Sequence, residues 1–141
     1  MKGIESYRDL DVWKAAMDLV ETCYRTTQSF PAGERFGLRL QVRRTAVSIP
    51  SNIAEGHERG SRQAYLNHVL IARGSGAELE TQLEICRRLK YLTEEEARYT
   101  LGQAQGVGRQ LSALVRALNR PQAQAPGPKP QALKPWTSSR T

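Results

Sequence analysis

Residues 41–56 read QVRRTAVSIPSNIAEG and place Pro50 inside what is otherwise one long amphipathic helix. A proline in a helix interior removes a backbone N–H and clashes with the carbonyl four residues earlier, here that of Ala46, which costs about 3 kcal/mol or more. We therefore expect the chain to use a kink at this position. Polar residues recur around the proline at helical spacing, and we expect them to satisfy the freed carbonyl or to face a neighbouring subunit: Ser48, Ser51, Asn52 and Glu55.

Outward from this stretch, the spacing of apolar residues predicts a first helix over about residues 10–29 and a second over about residues 34–58, separated by Pro31 and Gly33. The predicted buried face of the first helix is Val12, Trp13, Ala16, Leu19, Val20, Cys23, Tyr24 and Thr27. That of the second helix is Phe36, Leu40, Val47, Ile49, Ile53 and Ala54.

Two further helices show heptad spacing. Ser61 is the predicted N-cap of the third, whose buried seam is Tyr65, Val69, Ala72, Gly76, Leu79, Leu83 and Cys86. Thr93 and Glu96 form a predicted capping box that opens the fourth helix, whose seam is Ala97, Leu101, Ala104, Gly108, Leu111, Val115 and Leu118. At the seam glycines we expect a close approach of the two helices. A short connection near residues 90–92 favours an antiparallel hairpin.

The pattern predicts an all-α protein, an antiparallel up-down four-helix bundle over residues 1–120 followed by a disordered tail over residues 121–141. The tail holds five of the seven prolines, and within it Leu133 and Trp136 form either a short docking motif or part of an untethered extension. The first residues lack the apolar stretch of a signal peptide, and no run is long enough for a membrane span. We therefore expect a cytoplasmic protein without membrane contact.

Three stretches, DLDVWKAAMDLV, VSIPSNIAEG and IARGSGAELETQLEICRRLKYL, occur in this order within residues 6 to about 119. In this combination the chain resembles the bacterial four-helix-bundle family of 23S rRNA intervening-sequence proteins. It is equally similar to the accessory proteins of diversity-generating retroelements, which help a reverse transcriptase to use its template RNA. The resemblance implies a homopentameric ring. At Gly76 that family usually carries a larger apolar residue.

No catalytic or cofactor site is predicted. His57, His68, Glu55 and Glu58 lack the Glu-x-x-His pairs of di-iron bundles, and no glycine-rich phosphate loop is present. The two cysteines lie in apolar helix patterns and are interpreted as buried thiols. We expect a protein that is not an enzyme and holds no metal or cofactor.

The net charge of +7 comes from 21 basic and 14 acidic residues, and arginine predominates among the bases. The guanidinium group suits bidentate contact with phosphate. Arginines recur at helical spacing on the second helix, at the turn that follows it and on the fourth helix, and we expect them to line outward-facing strips. We predict that these arginines bind nucleic acid: Arg35, Arg39, Arg43, Arg44, Arg59, Arg62, Arg109, Arg116 and Arg120. The alternative is a solvated face with intersubunit salt bridges to Glu78, Glu80 or Glu84.

The leading functional hypothesis is a non-enzymatic, pentameric, basic adaptor for structured RNA, with DNA as a further ligand. It would serve either ribosomal RNA intervening sequences or the reverse transcriptase of a diversity-generating retroelement. The alternative is a ring scaffold that binds a protein partner and has no nucleic-acid role.

Overall fold

The computed structural model describes residues 6–121 and is all-helical over this range. Its four α-helices are α1 (Asp11–Thr26), α2 (Leu38–Glu58), α3 (Arg62–Arg88) and α4 (Glu94–Asn119), with short 3-10 turns at Tyr7–Asp9 and Ala32–Glu34. The described residues contain no strand, so the prediction of an all-α fold with four helices is confirmed. The first five residues and the predicted tail from residue 122 onward, including Leu133 and Trp136, lie outside the described residues.

The helices pack around one apolar core. α2 contacts α1 and α3, and α4 contacts α3 and α1. The largest fully buried side chains come from all four helices, and include Leu19, Ile49, Leu79, Leu83 and Leu111. Each such side chain contributes about 1.5 to 3 kcal/mol when it leaves water. Pro50 lies inside α2 and is buried, whereas the kink and the antiparallel up-down order stay predictions.

The sequence describes α3 most accurately. All seven residues of its predicted seam are buried in the structure. The hydroxyl of Ser61 accepts a hydrogen bond from the backbone N–H of Ala64 at 3.0 Å, as an N-cap should. Both predictions for this helix are therefore confirmed.

In α4 the predicted capping box is present, with Glu96 N–H donating to the Thr93 hydroxyl at 3.0 Å and Thr93 N–H donating to the Glu96 carboxylate at 2.9 Å. The predicted seam is partly wrong. Leu118, the last residue of the predicted seam, is only half-buried. Earlier in the helix, Thr100 and Val107 are buried, whereas Leu101 and Gly108 are only half-buried. Because α4 packs against both α1 and α3, its buried face at these two turns is centred one position earlier than a two-helix heptad seam predicts.

The prediction that α3 and α4 approach closely at their seam glycines is also wrong. A Cβ atom built at Gly76 would meet no heavy atom within 4 Å, and one at Gly108 would first meet the Glu80 carboxylate at 3.8 Å. The missing side chains leave open space between the two helices instead of a tight contact.

α2 begins at Leu38, four residues later than predicted, because the carboxylate of Glu34 caps it from outside the helix. One oxygen of this carboxylate accepts from Leu38 N–H at 2.8 Å and the other accepts from the Tyr91 hydroxyl at 2.9 Å. The Leu38 N–H and then the Tyr91 hydroxyl stabilise the carboxylate and lower the pKa of Glu34.

Three residues that were assigned to buried faces lie on the surface: Val47, which is 39% exposed, and two aromatic residues. Phe36 precedes α2 and is 79% exposed, and Tyr24 on α1 is 43% exposed. An arginine lies over each of the two rings, with Arg35 5.3 Å from the centroid of Phe36 and Arg43 4.4 Å from that of Tyr24. A cation over an aromatic face offsets part of the cost of its exposure.

Cys23 and Cys86 are free and buried, so their interpretation as buried thiols is confirmed. Burial disfavours the thiolate and raises the pKa of Cys23 to about 12 and that of Cys86 to about 11. Among the helices of residues 6–121, none combines the length and the apolar character needed to cross a lipid bilayer.

Candidate nucleic-acid interface

Two of the predicted arginines bind the carboxyl end of α1. Arg39 donates from Nε to the Thr27 carbonyl at 3.3 Å and from Nη2 to the Gln28 carbonyl at 3.2 Å. Arg43 donates from Nε to the Thr27 hydroxyl at 2.9 Å and from Nη2 to the Tyr24 carbonyl at 3.1 Å. The last carbonyls of a helix lack intrahelical partners and carry partial negative charge, so these guanidinium groups cap α1.

The prediction that Arg39 and Arg43 lie on an outward-facing strip is therefore wrong, because both side chains are half-buried and engaged within the molecule. Their helical spacing of four was correctly recognised. What the spacing could not show is that the end of α1 lies beside this face of α2. Whether the two residues also contact nucleic acid stays a prediction.

Arg62 caps the carboxyl end of α4 in the same way. From the first turn of α3 it donates to the carbonyls of Leu118 at 3.1 Å, Ala117 at 3.4 Å and Arg120 at 2.7 Å. These bonds place the beginning of α3 beside the end of α4.

Two more of the predicted arginines have local partners. Arg59 forms an ion pair with Glu55 at 2.9 Å, one helical turn away in α2. The guanidinium of Arg35 lies over the ring of Phe36, as described above. Both side chains remain at the surface, where an ion pair of this kind contributes less than about 1 kcal/mol.

The remaining predicted arginines are exposed and have no hydrogen-bond or ion-pair partner within residues 6–121: Arg44, Arg109, Arg116 and Arg120. Arg44 lies on α2 and the others on or just beyond the second half of α4. These are the members of the predicted set that are free to contact an external anion.

Arg109 and Arg116 line one side of a cleft of about 570 Å³ between α3 and α4. Arg73 on α3 lines the other side and is likewise without a hydrogen-bond or ion-pair partner in the described part of the chain. Sequence reasoning missed Arg73. Arg73 precedes the predicted seam residue Gly76 by three positions, so it lies beside the seam, and this spacing was available in the sequence.

The acidic side chains proposed as intersubunit partners differ in their surroundings. The Glu84 carboxylate is held within the chain by Arg87 at 2.7 Å and Arg88 at 2.9 Å. Hydrogen bonds from Arg87 and then Arg88 lower the pKa of Glu84 to about 2. Glu80, by contrast, lines the cleft and has no ion-pair partner within residues 6–121.

The polar residues around Pro50 bond mainly within α2. The Ser48 hydroxyl donates to the Thr45 carbonyl at 2.7 Å, and the Asn52 amide donates to the Ser48 carbonyl at 2.9 Å. The expectation that they satisfy the carbonyl of Ala46 is therefore wrong for these two side chains.

Asn52 also reaches α3. Its amide oxygen lies 3.0 Å from Nδ1 of His68, whose Nε2 lies 4.0 Å from the Glu55 carboxylate. Ser51 is exposed and turned toward solvent. This polar cluster joins α2 to α3 directly after the proline.

Comparison with known proteins gives the following findings. A family model described as 23S rRNA-intervening sequence protein matches residues 8–113. A crystal structure of a protein with unknown function from the S23 ribosomal protein family of Bacteroides thetaiotaomicron is similar, with a TM-score of 0.70. The match covers 74% of this chain and 95% of that one at 22% identity, which shows likeness of fold. No curated protein matches the sequence.

Proposed function

Because the chain belongs to the 23S rRNA-intervening sequence protein family, we propose that it is a non-enzymatic, basic adaptor for structured RNA. The observation that carries the proposal is the set of exposed arginines without a partner in residues 6–121, namely Arg44, Arg109, Arg116 and Arg120. A guanidinium that is not engaged by a carboxylate or a helix end is available for bidentate contact with phosphate.

The charge balance supports the same proposal. Of the net charge of +7, three charges belong to Lys129, Lys134 and Arg140 in the tail, and Lys2 and Glu5 cancel. The described residues therefore carry +4. Such a surface attracts RNA or DNA through its phosphates, with a strong dependence on salt.

The proposal includes a homopentamer of antiparallel bundles with a kink at Pro50. Five copies of the described part would carry about +20, and linked weak contacts gain affinity through avidity. Size-exclusion chromatography with light scattering should give about five times the chain mass of 15.8 kDa. A monomer at micromolar concentration would contradict the ring.

The biological setting has two versions within this proposal. The adaptor binds either RNA linked to ribosomal intervening sequences or the template RNA of a reverse transcriptase in a diversity-generating retroelement. The position of the gene, inside an rRNA insertion or beside a reverse transcriptase gene, distinguishes the two. In both versions we propose that the protein acts in the cytoplasm.

The RNA-binding experiment neutralises three of the unpartnered arginines. The variant Arg109→Gln/Arg116→Gln/Arg120→Gln is compared with the wild-type protein by fluorescence anisotropy, with a labelled structured RNA at several salt concentrations. If each lost side chain contacts one phosphate, the slope of log affinity against log salt should flatten by about 0.7 to 0.9 per contact in each subunit engaged.

The matched control is Arg59→Gln/Arg87→Gln/Arg88→Gln, which changes the net charge equally but removes arginines that are engaged in ion pairs. We expect the control to reduce affinity less and to leave the slope closer to that of the wild type. Equal effects of the two triple variants would show that overall charge, and no particular surface, attracts RNA. Absence of salt-dependent binding by the wild type would refute the proposed function.

A second candidate function is a scaffold that binds a protein partner. The observation in its favour is a set of exposed apolar side chains on α3 and at its C-cap, with Ile71 52%, Ile85 41% and Leu89 50% exposed. Their spacing puts all three on one face of the helix. If this function is correct, the double variant Ile71→Gln/Ile85→Gln should abolish partner binding, and the wild type should show no salt-dependent binding of RNA.

A further inference from the structure

The cleft between α3 and α4 differs from the rest of the basic surface because it is concave. Its volume of about 570 Å³ falls within the range of small-ligand sites, which is roughly 300 to 1,000 Å³, and far exceeds the space that one phosphate or a few waters need. A row of arginines on a convex helix surface can contact only the outside of a nucleic-acid backbone. An open cleft of this size can also offer contacts to a sugar and a base.

The groups that line the cleft are of three kinds. Arg73, Arg109 and Arg116 are cationic and have no partner within residues 6–121. Gln105, Ser112 and the Glu80 carboxylate supply neutral and anionic hydrogen-bonding groups. With three cations and one anion, the cleft is positive overall and favours a ligand that carries a phosphate.

Gly76 and Gly108 keep the cleft open. They occupy positions where the heptad pattern of each helix calls for an apolar side chain, and a Cβ at Gly76 would point into empty space. Each glycine in a helix interior costs about 0.5 to 1 kcal/mol relative to alanine. On the α3 side, Gly76 and Ala77 form an apolar patch of small residues, against which a planar base can lie.

The two ends of the cleft also differ. The Glu80 carboxylate lies across from Gly108, at 3.8 Å from the position of its Cβ. Arg62 joins the beginning of α3 to the end of α4, so Arg73 lies toward the half of the cleft formed by Ser112 and Arg116. Arg73 and Arg116 therefore lie toward one end of the cleft. The Glu80 carboxylate, which can accept from an amino group or a hydroxyl, lies with Arg109 toward the other end.

From this arrangement we infer that the α3/α4 cleft binds a single nucleotide, with its phosphate at Arg73 and Arg116 and its base against the open apolar patch at Gly76 and Ala77. The inference rests on the proposed function, since it assigns one unpaired nucleotide of the bound RNA to this cleft. Bases that are unpaired can be extruded from a folded RNA and held by side chains in this way. In this arrangement Arg73 binds the phosphate of the nucleotide.

The test fills the cleft without changing any charge. In Gly76→Leu the new side chain occupies the cleft, whereas in Gly74→Leu the same replacement two residues away points to solvent, because a Cβ there also meets no atom within 4 Å and Gly74 is exposed. Both variants replace glycine by a strong helix former, so neither should lower helicity. Adenosine monophosphate is the probe, and isothermal titration calorimetry of the full chain measures its affinity.

We expect the wild type and Gly74→Leu to bind adenosine monophosphate within about twofold of each other, and Gly76→Leu to bind it at least about tenfold more weakly. Inorganic phosphate should bind the wild type more weakly than the nucleotide does. Should Gly76→Leu fail to fold, Arg73→Gln, an exposed substitution, must show the same loss. Equal affinity of Gly76→Leu, or of Arg73→Gln, and wild type would overturn the inference.

The same proteins separate this inference from the proposed function. Salt-dependent RNA binding by a wild type that does not bind adenosine monophosphate would overturn the cleft assignment and leave the adaptor role standing. Nucleotide binding that Gly76→Leu abolishes, in a protein that does not bind RNA, would overturn the adaptor role and support the cleft as a mononucleotide site.

Discussion

The arginines at the start of α2 and those in the α3/α4 cleft are the same residue type at helical spacing, yet they lie in opposite surroundings. Arg39 and Arg43 are held by carbonyl and hydroxyl oxygens at the end of α1. Arg73, Arg109 and Arg116 face a cleft and have no such partner within residues 6–121. The first pair stabilises the bundle, and the second group is available to a ligand. The difference lies in which part of a neighbouring helix each arginine meets.

We expect the largest change in the free energy of unfolding when the arginine cap at the end of α1 is removed. Arg43→Ala removes hydrogen bonds to the Thr27 hydroxyl, the Tyr24 carbonyl and the Gln28 side chain, together with the contact with the ring of Tyr24. Hydrogen bonds from a charged donor contribute more than neutral ones, and a cation at a helix C-terminus adds to them, so the free energy of unfolding should fall by about 2 kcal/mol. Urea denaturation followed by circular dichroism measures the change.

The matched control is Arg44→Ala, the adjacent exposed residue, which should change the free energy of unfolding by no more than about 0.5 kcal/mol. If the two alanine variants were equally stable, the hydrogen bonds of Arg43 would contribute nothing, and the contrast between capping and free arginines would disappear.

We expect a smaller change in the free energy of unfolding when the cap at the end of α4 is removed. Arg62→Ala leaves the last carbonyls of α4 to water, and the free energy of unfolding should fall by about 1 kcal/mol. Hydrogen exchange of the amides in the last turns of α4 should accelerate at the same time. Arg120→Ala, which keeps the backbone carbonyl that Arg62 binds, serves as the control and should change neither quantity.

We expect the smallest change in the free energy of unfolding at Glu84. The carboxylate of this residue has ion-pair partners within residues 6–121, unlike that of Glu80 in the cleft. The pKa of Glu84 in the folded chain is lowered to about 2 by hydrogen bonds from Arg87 and Arg88, from an ordinary value of 4.5. The stabilisation by this group is therefore fully present above about pH 4.5 and is lost as the pH falls toward 2.

The comparison of wild type and Glu84→Gln checks this pH dependence. In urea denaturation the wild type should be the more stable of the two at neutral pH, and the difference should shrink at about pH 3 and below. In an Arg87→Gln background much of the difference should already be absent at neutral pH. A difference that stays constant from neutral to acidic pH would exclude the ion pairs as its source.

The local structure of α3 and α4 could be predicted from their residues. The seam of α3, the N-cap Ser61 and the capping box of Thr93 and Glu96 follow from spacing within one helix, and the structure contains all of them. Such signals act over three or four residues, so no knowledge of the neighbouring helices is needed.

Other features depended on contacts between distant parts of the chain. The late start of α2 results from Glu34 binding both Leu38 and Tyr91, which lies 57 residues away in sequence. Phe36 is apolar and fits a helical pattern, but it precedes the observed helix and remains exposed. The open space at Gly76 and Gly108 likewise depends on how two helices are positioned.

The sequence by itself determined the all-α class, the number of helices and the buried seam of α3, because hydrophobic periodicity and capping are properties of short segments. Only the tertiary structure decided which arginines cap a helix, which remain free and which line a cleft. The guanidinium group donates to carbonyl oxygens as well as to phosphates, so its role depends on which acceptor the fold places beside it. For Arg43 that acceptor is the end of α1, and for Arg73 the structure leaves the position open to a ligand.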